Sequence, residues 1–344
     1  MKRTSIVTAV LLLAAATAPD AFAGAGNRVG TAGASELLIP VGTRDIGMGG
    51  ATAGTSAGVD ALFWNPAAVA MMNNSVGLYV SHMNYIADIG VDYGAVAANF
   101  EGLGVFSLSI KSLSVGSIPV TTTQNPDGTG QTFDPQFFTA GLSFSRRLSD
   151  RIAVGITGNL ITERLGEVSA SGIGFNIGVQ YNNLASIEGL SIGVVVKNIG
   201  PQMNVTGAGL LNQASVAGQN RPPQFYAVQA APFDLPSSIE FGLGFKKSFT
   251  GDNSVLISTG FQSNNFSDDE YKLGLEYAYE DIFFLRGGYD LSQKESADLG
   301  YIYGATFGAG IHTALGSTDI TFDYAYRAVK VFNANHVFSV KLGF

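Results

Sequence analysis

A unit of roughly ten residues, apolar alternating with polar or small and ended by a turn signal, recurs from about residue 75 to the last residue, Phe344. In the final unit Phe338, Val340, Leu342 and Phe344 share one parity, and Ser339, Lys341 and Gly343 share the other. Successive side chains of a strand point to opposite faces, so each unit reads as a strand with one greasy and one polar face. Tyr271, Leu273, Leu275, Tyr277 and Tyr279 alternate in the same way with Lys272, Gly274, Glu276, Ala278 and Glu280. A soluble sandwich with its apolar face turned inward shares this alternation, so strand number and turn parity have to decide the environment.

Turn signals divide the chain into candidate strands near 75–86, 91–100, 103–112, 136–148, 151–162, 170–182 and 189–198. A second set follows near 237–247, 254–264, 270–279, 281–291, 298–311, 318–327 and 335–344. The total is about fourteen, an even number, as in single-chain outer-membrane barrels. Tight turns at Ser149-Asp150, Thr250-Gly251-Asp252 and Glu280-Asp281 all follow even-numbered strands. The long connections, about 113–135 and 199–236, both follow odd-numbered ones. Short periplasmic turns and long extracellular loops are the asymmetry of these barrels, whereas a soluble sandwich has no reason to sort its loops by parity. The expected fold is therefore all-β: a transmembrane antiparallel β-barrel in the outer membrane of a Gram-negative-type bacterium, with outer-membrane lipid and the barrel assembly machinery as partners.

The N-terminus fits that destination. Lys2 and Arg3 precede an apolar run from Ile6 to Ala16, and Ala21-Phe22-Ala23 completes a secretory signal peptide over residues 1–23. The run falls short of the roughly 20 apolar residues that a helical span needs. Residues 24–74 lack strand periodicity and precede the barrel at 75–344, which makes them a hatch or plug in the periplasmic half of the lumen. The chain has no cysteine, which excludes disulfides, thiolate metal sites and a lipidated cysteine. Its net charge of −8 argues against a nucleic-acid partner.

Within the hatch, Val41-Gly42-Thr43-Arg44-Asp45-Ile46-Gly47-Met48-Gly49-Gly50-Ala51 is followed by Asp60-Ala61-Leu62-Phe63-Trp64-Asn65-Pro66-Ala67. These two elements resemble the pattern of the PorV/PorQ family of outer-membrane proteins, within the wider FadL-like barrel group. The matching residues are Gly42, Arg44, Gly47, Met48, Gly49, Gly50, Ala51, Asp60, Ala61, Trp64, Asn65, Pro66 and Ala67. The resemblance implies a non-enzymatic barrel that serves type IX secretion or surface attachment, with secreted cargo proteins or secretion-system components as partners. The asparagine-proline-alanine element is shared with long-chain fatty-acid transporters, which implies the alternative of a FadL-like channel for a hydrophobic small molecule. In those transporters the connection after the fifth strand is long, whereas here it is short, about 163–169.

Physically, the glycines from Gly47 to Gly50 allow close backbone approach to a wall. Asp60 is expected to cap a short helix from Ala61 to Trp64, and Asn65 to cap one that Pro66 begins. Arg44 needs an inward carboxylate as partner. The inward parity supplies Glu240, Lys246, Lys272, Glu276, Glu280, Arg286, Asp319, Asp323, Arg327 and Lys341, of mixed sign, as ion pairing across a lumen requires. His82, His312 and His336 lack metal-ligand spacing, and no serine is placed to pair with any of them as nucleophile and base, since Ser81 points to the opposite strand face from His82. No catalytic, metal or cofactor site is expected. The connection 199–236 is too apolar for a merely solvated loop. Met203, Leu210, Leu211, Phe225, Tyr226 and Phe233 are its candidate contact residues. Phe344 looks like the terminal aromatic that marks such barrels for assembly.

Overall fold

The computed structural model describes residue 28 and residues 30–215, 222–249, 252–292 and 301–344. Fourteen strands form the wall: β1 (Val76–Asn84), β2 (Gly90–Phe100), β3 (Gly104–Ser114), β4 (Gln136–Arg147), β5 (Ile152–Leu165), β6 (Val168–Asn182) and β7 (Leu190–Ile199). They continue with β8 (Ser238–Ser248), β9 (Ser254–Asn264), β10 (Glu270–Tyr279), β11 (Phe283–Ser292), β12 (Tyr303–Leu315), β13 (Thr318–Val329) and β14 (Asn335–Gly343). Each pairs antiparallel with its neighbours in sequence, and β14 returns to β1 with Gly77 opposite Gly343 and Asn84 opposite His336. No described helix is long and apolar enough to cross a membrane.

Closure follows from the solvent. A strand edge in lipid would leave unpaired N–H and C=O groups, each worth several kcal/mol. The seam removes both edges, and Phe344 finishes it by donating its N–H to Val76 O at 2.9 Å and accepting from Ser75 N at 2.7 Å. Alternation then sorts side chains. In β1, Gly77, Tyr79, Ser81 and Met83 face the lumen, and Leu78 and Val80 face outward. The outward belt continues with Leu142, Ile156, Leu273, Leu285, Phe307 and Phe322.

The connections divide by length between the two ends. The long ones follow β3 and β7 and mark the outer end. The first contains a small ladder, Ile118–Pro119 against Thr132–Phe133. The second begins with Asn204–Gly207, which extends the sheet beside β6 with Asn204 opposite Ser171, and then forms a hairpin of Leu211–Ala214 and Gln224–Ala227.

Several expected boundaries shift. β5 and β6 run on until only residues 166–167 separate them, where Gly166 takes a positive φ of 60°. β12 is seen from Tyr303, and residues 298–300 of the expected strand lie outside the described residues. One charge assigned to the lumen is not there. Glu280 sits in the β10–β11 turn at φ 54°, where strand parity no longer directs its side chain, whereas Lys246, exposed near the lower end of β8, keeps inward parity and lines the lower end of the lumen with Arg44 and Asp323.

Inside the wall lies the chain from residue 30 to residue 74. It touches strands around the circumference: Gly47 meets Gly308 of β12, Gly49 meets Tyr289 of β11, Gly54 meets Gly193 of β7 and Gly242 of β8, and Pro66 meets Gly155 of β5. Residues 30–40 reach further up than the lower half of the lumen. Arg28 pairs with Asp234 at 2.7 Å and lies over the Phe266 ring, while Gly33 N donates to Asp234 O, all at the outer mouth.

In this cysteine-free chain, single cysteines replacing Thr31 and Thr123 should react with a membrane-impermeant maleimide on intact cells. One replacing Asp252 should react only after the outer membrane is opened. Reversed labelling would invert the barrel.

Candidate functional site

The Thr43–Gly47 helical turn anchors the luminal segment through one charge chain. Arg44 forks onto Glu276 of β10, its Nε donating to Oε2 and its Nη2 to Oε1, both at 2.9 Å. Glu276 also accepts from Arg286 Nε of β11 at 2.7 Å, and Arg286 Nη1 reaches Asp323 of β13 at 2.5 Å. Charges buried this deeply are tolerable because each is paired and hydrogen-bonded. Beside them Asp45 accepts from Ser56 Oγ at 2.5 Å, and burial raises its carboxyl to about 6 despite the Arg44 charge.

The next residues need close approach. Met48 is fully buried, and Gly49 and Gly50 have φ of 64° and 74°. A side chain at Gly49 would meet Tyr289 N and Leu273 O of the wall, and one at Gly50 would meet the Trp64 ring. Trp64 Nε1 donates to Val41 O at 2.7 Å, and Phe63 packs edge-on against Trp64 at 5.4 Å. Asn65 caps the turn Pro66–Met71 by accepting from Ala67 N, and its Nδ2 donates to Ala53 O at 2.7 Å. Asp60, expected to cap a helix, does not. The turn Val59–Phe63 starts from Gly58, and Asp60 instead accepts from Lys341 Nζ of β14 with both oxygens at 3.2 Å. An ion pair across the lumen outcompetes a local cap for a buried carboxylate.

Phe63 and Trp64 form the floor of a chamber of about 720 Å³. Lys197 lies 4.7 Å from the Phe63 ring centre and 5.2 Å from that of Trp64, and Lys111 lies 5.1 Å from that of Phe63. One side is apolar, with Leu37, Ile39, Leu113, Phe137 and Leu165. The other carries the pairs Lys197–Glu240, Lys272–Glu270 and Arg327–Asp290. Below the segment a second space of about 420 Å³ is lined by Arg44, Arg286, Asp319, Asp323 and Lys341.

Of the chamber's charges, Glu240, Lys272 and Arg327 were visible as inward-parity residues. Lys197, and Lys111 just outside the lining, carry the same signal, each a lone charge at inward parity in an apolar strand. Glu36 carries none, because it lies in a non-repeating segment. Its carboxyl is buried and neither oxygen has a hydrogen-bond partner. Burial first, and the Glu163 carboxylate second, push it up to about 8.

The outer connection splits in two. Met203 and Phe233 exchange backbone hydrogen bonds at 2.9 and 3.0 Å, and Met203 is fully buried with Ala34, Leu37, Ile161 and Leu235. These two, expected as external contacts, instead fasten the connection to the luminal segment. Apolar side chains beside the apolar face of residues 34–37 bury together. Leu210 is half-buried, whereas Leu211, Phe225 and Tyr226 stand 47%, 69% and 42% exposed on the hairpin. His82 bonds Asp92, and His336 bonds Tyr324. Among the described residues no cluster has the makings of a metal site.

Glu276→Gln should destabilise the barrel by about 3–5 kcal/mol, since it leaves Arg44 with only the more distant Asp45 carboxylate, 3.6 Å away. Urea unfolding followed by heat-modifiable mobility measures this, and an unchanged midpoint would show the charge chain to be dispensable. Glu36 sets a pH dependence. Its raised value in the docked segment means that docking is fully favoured below its ordinary value of 4.5 and is progressively lost as pH rises through about 8. Hydrogen exchange in residues 30–40, corrected for intrinsic rates, should therefore be faster at pH 9 than at pH 6, and Glu36→Gln should abolish the difference.

Several solved structures share the fold. The chain is 15% identical to the CymD monoaromatic hydrocarbon channel, at a TM-score of 0.56 over 89% of this chain and 98% of that one. It is 13% identical to the Pseudomonas putida toluene transporter TodX, at 0.55 over 89% and 97%. It is 15% identical to the Ralstonia pickettii toluene transporter TbuX, at 0.56 over 89% and 99%. No curated protein matches. The model of the type IX secretion system protein PorV matches residues 22–218, more than half of the sequence and the whole of the Arg44 to Pro66 site. The chain is an outer-membrane β-barrel that belongs to the PorV family.

Proposed function

We propose that this protein is a non-enzymatic barrel that assists type IX protein secretion or surface attachment by holding exported cargo at its outer hairpin, with residues 30–74 acting as the plug. The observation that carries this reading is the exposure of Leu211, Phe225 and Tyr226 together on one two-stranded ladder at the outer end. Large apolar side chains clustered on a surface connection mark a contact site more often than a solvated loop. Family membership supplies the secretion setting.

A second reading, an uptake channel for hydrophobic small molecules, draws support from the chamber of about 720 Å³ and its apolar side. A space of that size suits a small ligand. The two readings use different parts of the molecule.

Replacing residues 208–230 by a short glycine-serine turn spares Met203 and Phe233, so the barrel should still fold. The trimmed protein should lose co-purification with exported proteins that bear a C-terminal sorting domain, because the exposed aromatics carry the contact. Uptake of hydrophobic compounds should be unchanged. Full cargo binding together with lost uptake would reject the cargo reading in favour of the channel.

A further inference from the structure

Besides the unpartnered Glu36 carboxyl, the chamber holds an ion pair whose polar atoms neither pairing nor packing uses up. Asp290 and Arg327 are 3% and 8% exposed and line it together. Arg327 Nη2 donates to Asp290 Oδ2 at 3.1 Å, and Tyr301 donates to the same oxygen at 2.6 Å. The pair is open rather than forked. Asp290 Oδ1 and Arg327 Nη1 are both buried without a hydrogen-bond partner. A buried donor and a buried acceptor are thus left unsatisfied on two side chains that already touch, and unmet polar groups of this kind are rare in folded proteins. The Arg327 guanidinium is held by the Tyr303 ring, 3.5 Å from its centre, so the fork cannot simply swing closed.

Charge restricts what fits there. The lining bases Lys197, Lys272 and Arg327 each have a carboxylate partner, Glu240, Glu270 and Asp290 in turn, and Lys111, which stands behind the lining, donates to Ile39 O at 2.7 Å. The remaining lining acid, Glu36, is kept protonated at neutral pH by its burial and by Glu163. A charged head group would enter a site with no uncompensated counter-charge and would bear the cost of its own desolvation. An uncharged head that both donates and accepts meets no such penalty. Across from the pair, Leu37, Ile39, Leu113, Phe137 and Leu165 offer an apolar wall to the rest of the molecule.

We propose that the chamber binds a neutral amphiphile with an amide head, whose carbonyl accepts from Arg327 Nη1, whose N–H donates to Asp290 Oδ1, and whose apolar chain lies against the Leu37 to Leu165 side. This site shares no residue with the outer hairpin, so it stands or falls separately from the cargo reading.

Trp64 is the only tryptophan of the chain and forms part of the chamber floor, which makes its fluorescence a built-in reporter. The full-length protein in nanodiscs is titrated at pH 7 with decanamide, N,N-dimethyldecanamide, which lacks the N–H, and decanoate. Decanamide should bind saturably and at least about tenfold more tightly than either, the worth of one hydrogen bond to a charged group. Asp290→Asn and Arg327→Lys should each weaken decanamide about tenfold. If these variants fail to fold, the ligand series on the unaltered protein decides alone. Equal affinity for decanoate or for the dimethyl amide, unsaturable quenching, or no response because water alone fills the gap would each overturn the proposal.

Discussion

The pairing of β1 with β14 is the contact on which everything else depends. It joins the two ends of a sheet whose outward side is apolar throughout, and without it two rows of backbone groups would face lipid with no partner. Once the seam is closed, strand parity assigns each side chain to lipid or to lumen. The lumen then becomes a polar interior that has to be filled and charge-balanced from within. The Lys341 to Asp60 pair shows the dependence directly, since it ties the last strand of the wall to the segment inside it.

Filling the lumen is solved by approach rather than by bulk. The luminal segment presents Gly47, Gly49 and Gly54 to the wall, and the wall answers with Gly193, Gly242, Gly274 and Gly308 where the two backbones meet. Contacts this short exclude water, so the few charges present have to satisfy one another. The run from Arg44 through Glu276 and Arg286 to Asp323 does so across three strands and the segment, and it separates the space above from the space below.

The wall was legible in the sequence because a strand repeats every two residues and a barrel repeats its strands. Fourteen segments marked by alternation correspond to fourteen strands, and the ends that moved are those where a turn glycine such as Gly166 let the pairing run on. The luminal segment was legible only as motifs. Asn65 and Pro66 follow local capping rules, and local rules are visible in sequence. Asp60 does not follow them, because its partner Lys341 is almost the whole chain away, and the same distance hid the burial of Met203 and Phe233. The chamber was the least legible part. Glu36 lies in an irregular stretch, and nothing in the neighbouring residues signals that its carboxyl faces Glu163.

Residues 30–40 join two features described separately. At one end Gly33 and Ala34 are bound to Phe233, Asp234 and Met203 of the outer connection. At the other, Val41 accepts from the indole of Trp64 in the chamber floor. The stretch between is short and is held along its length by packing and by Lys111 on Ile39 O. The outer connection and the floor are therefore in mechanical series. A pull on one is a load on the other, carried down the middle of the barrel instead of through its wall.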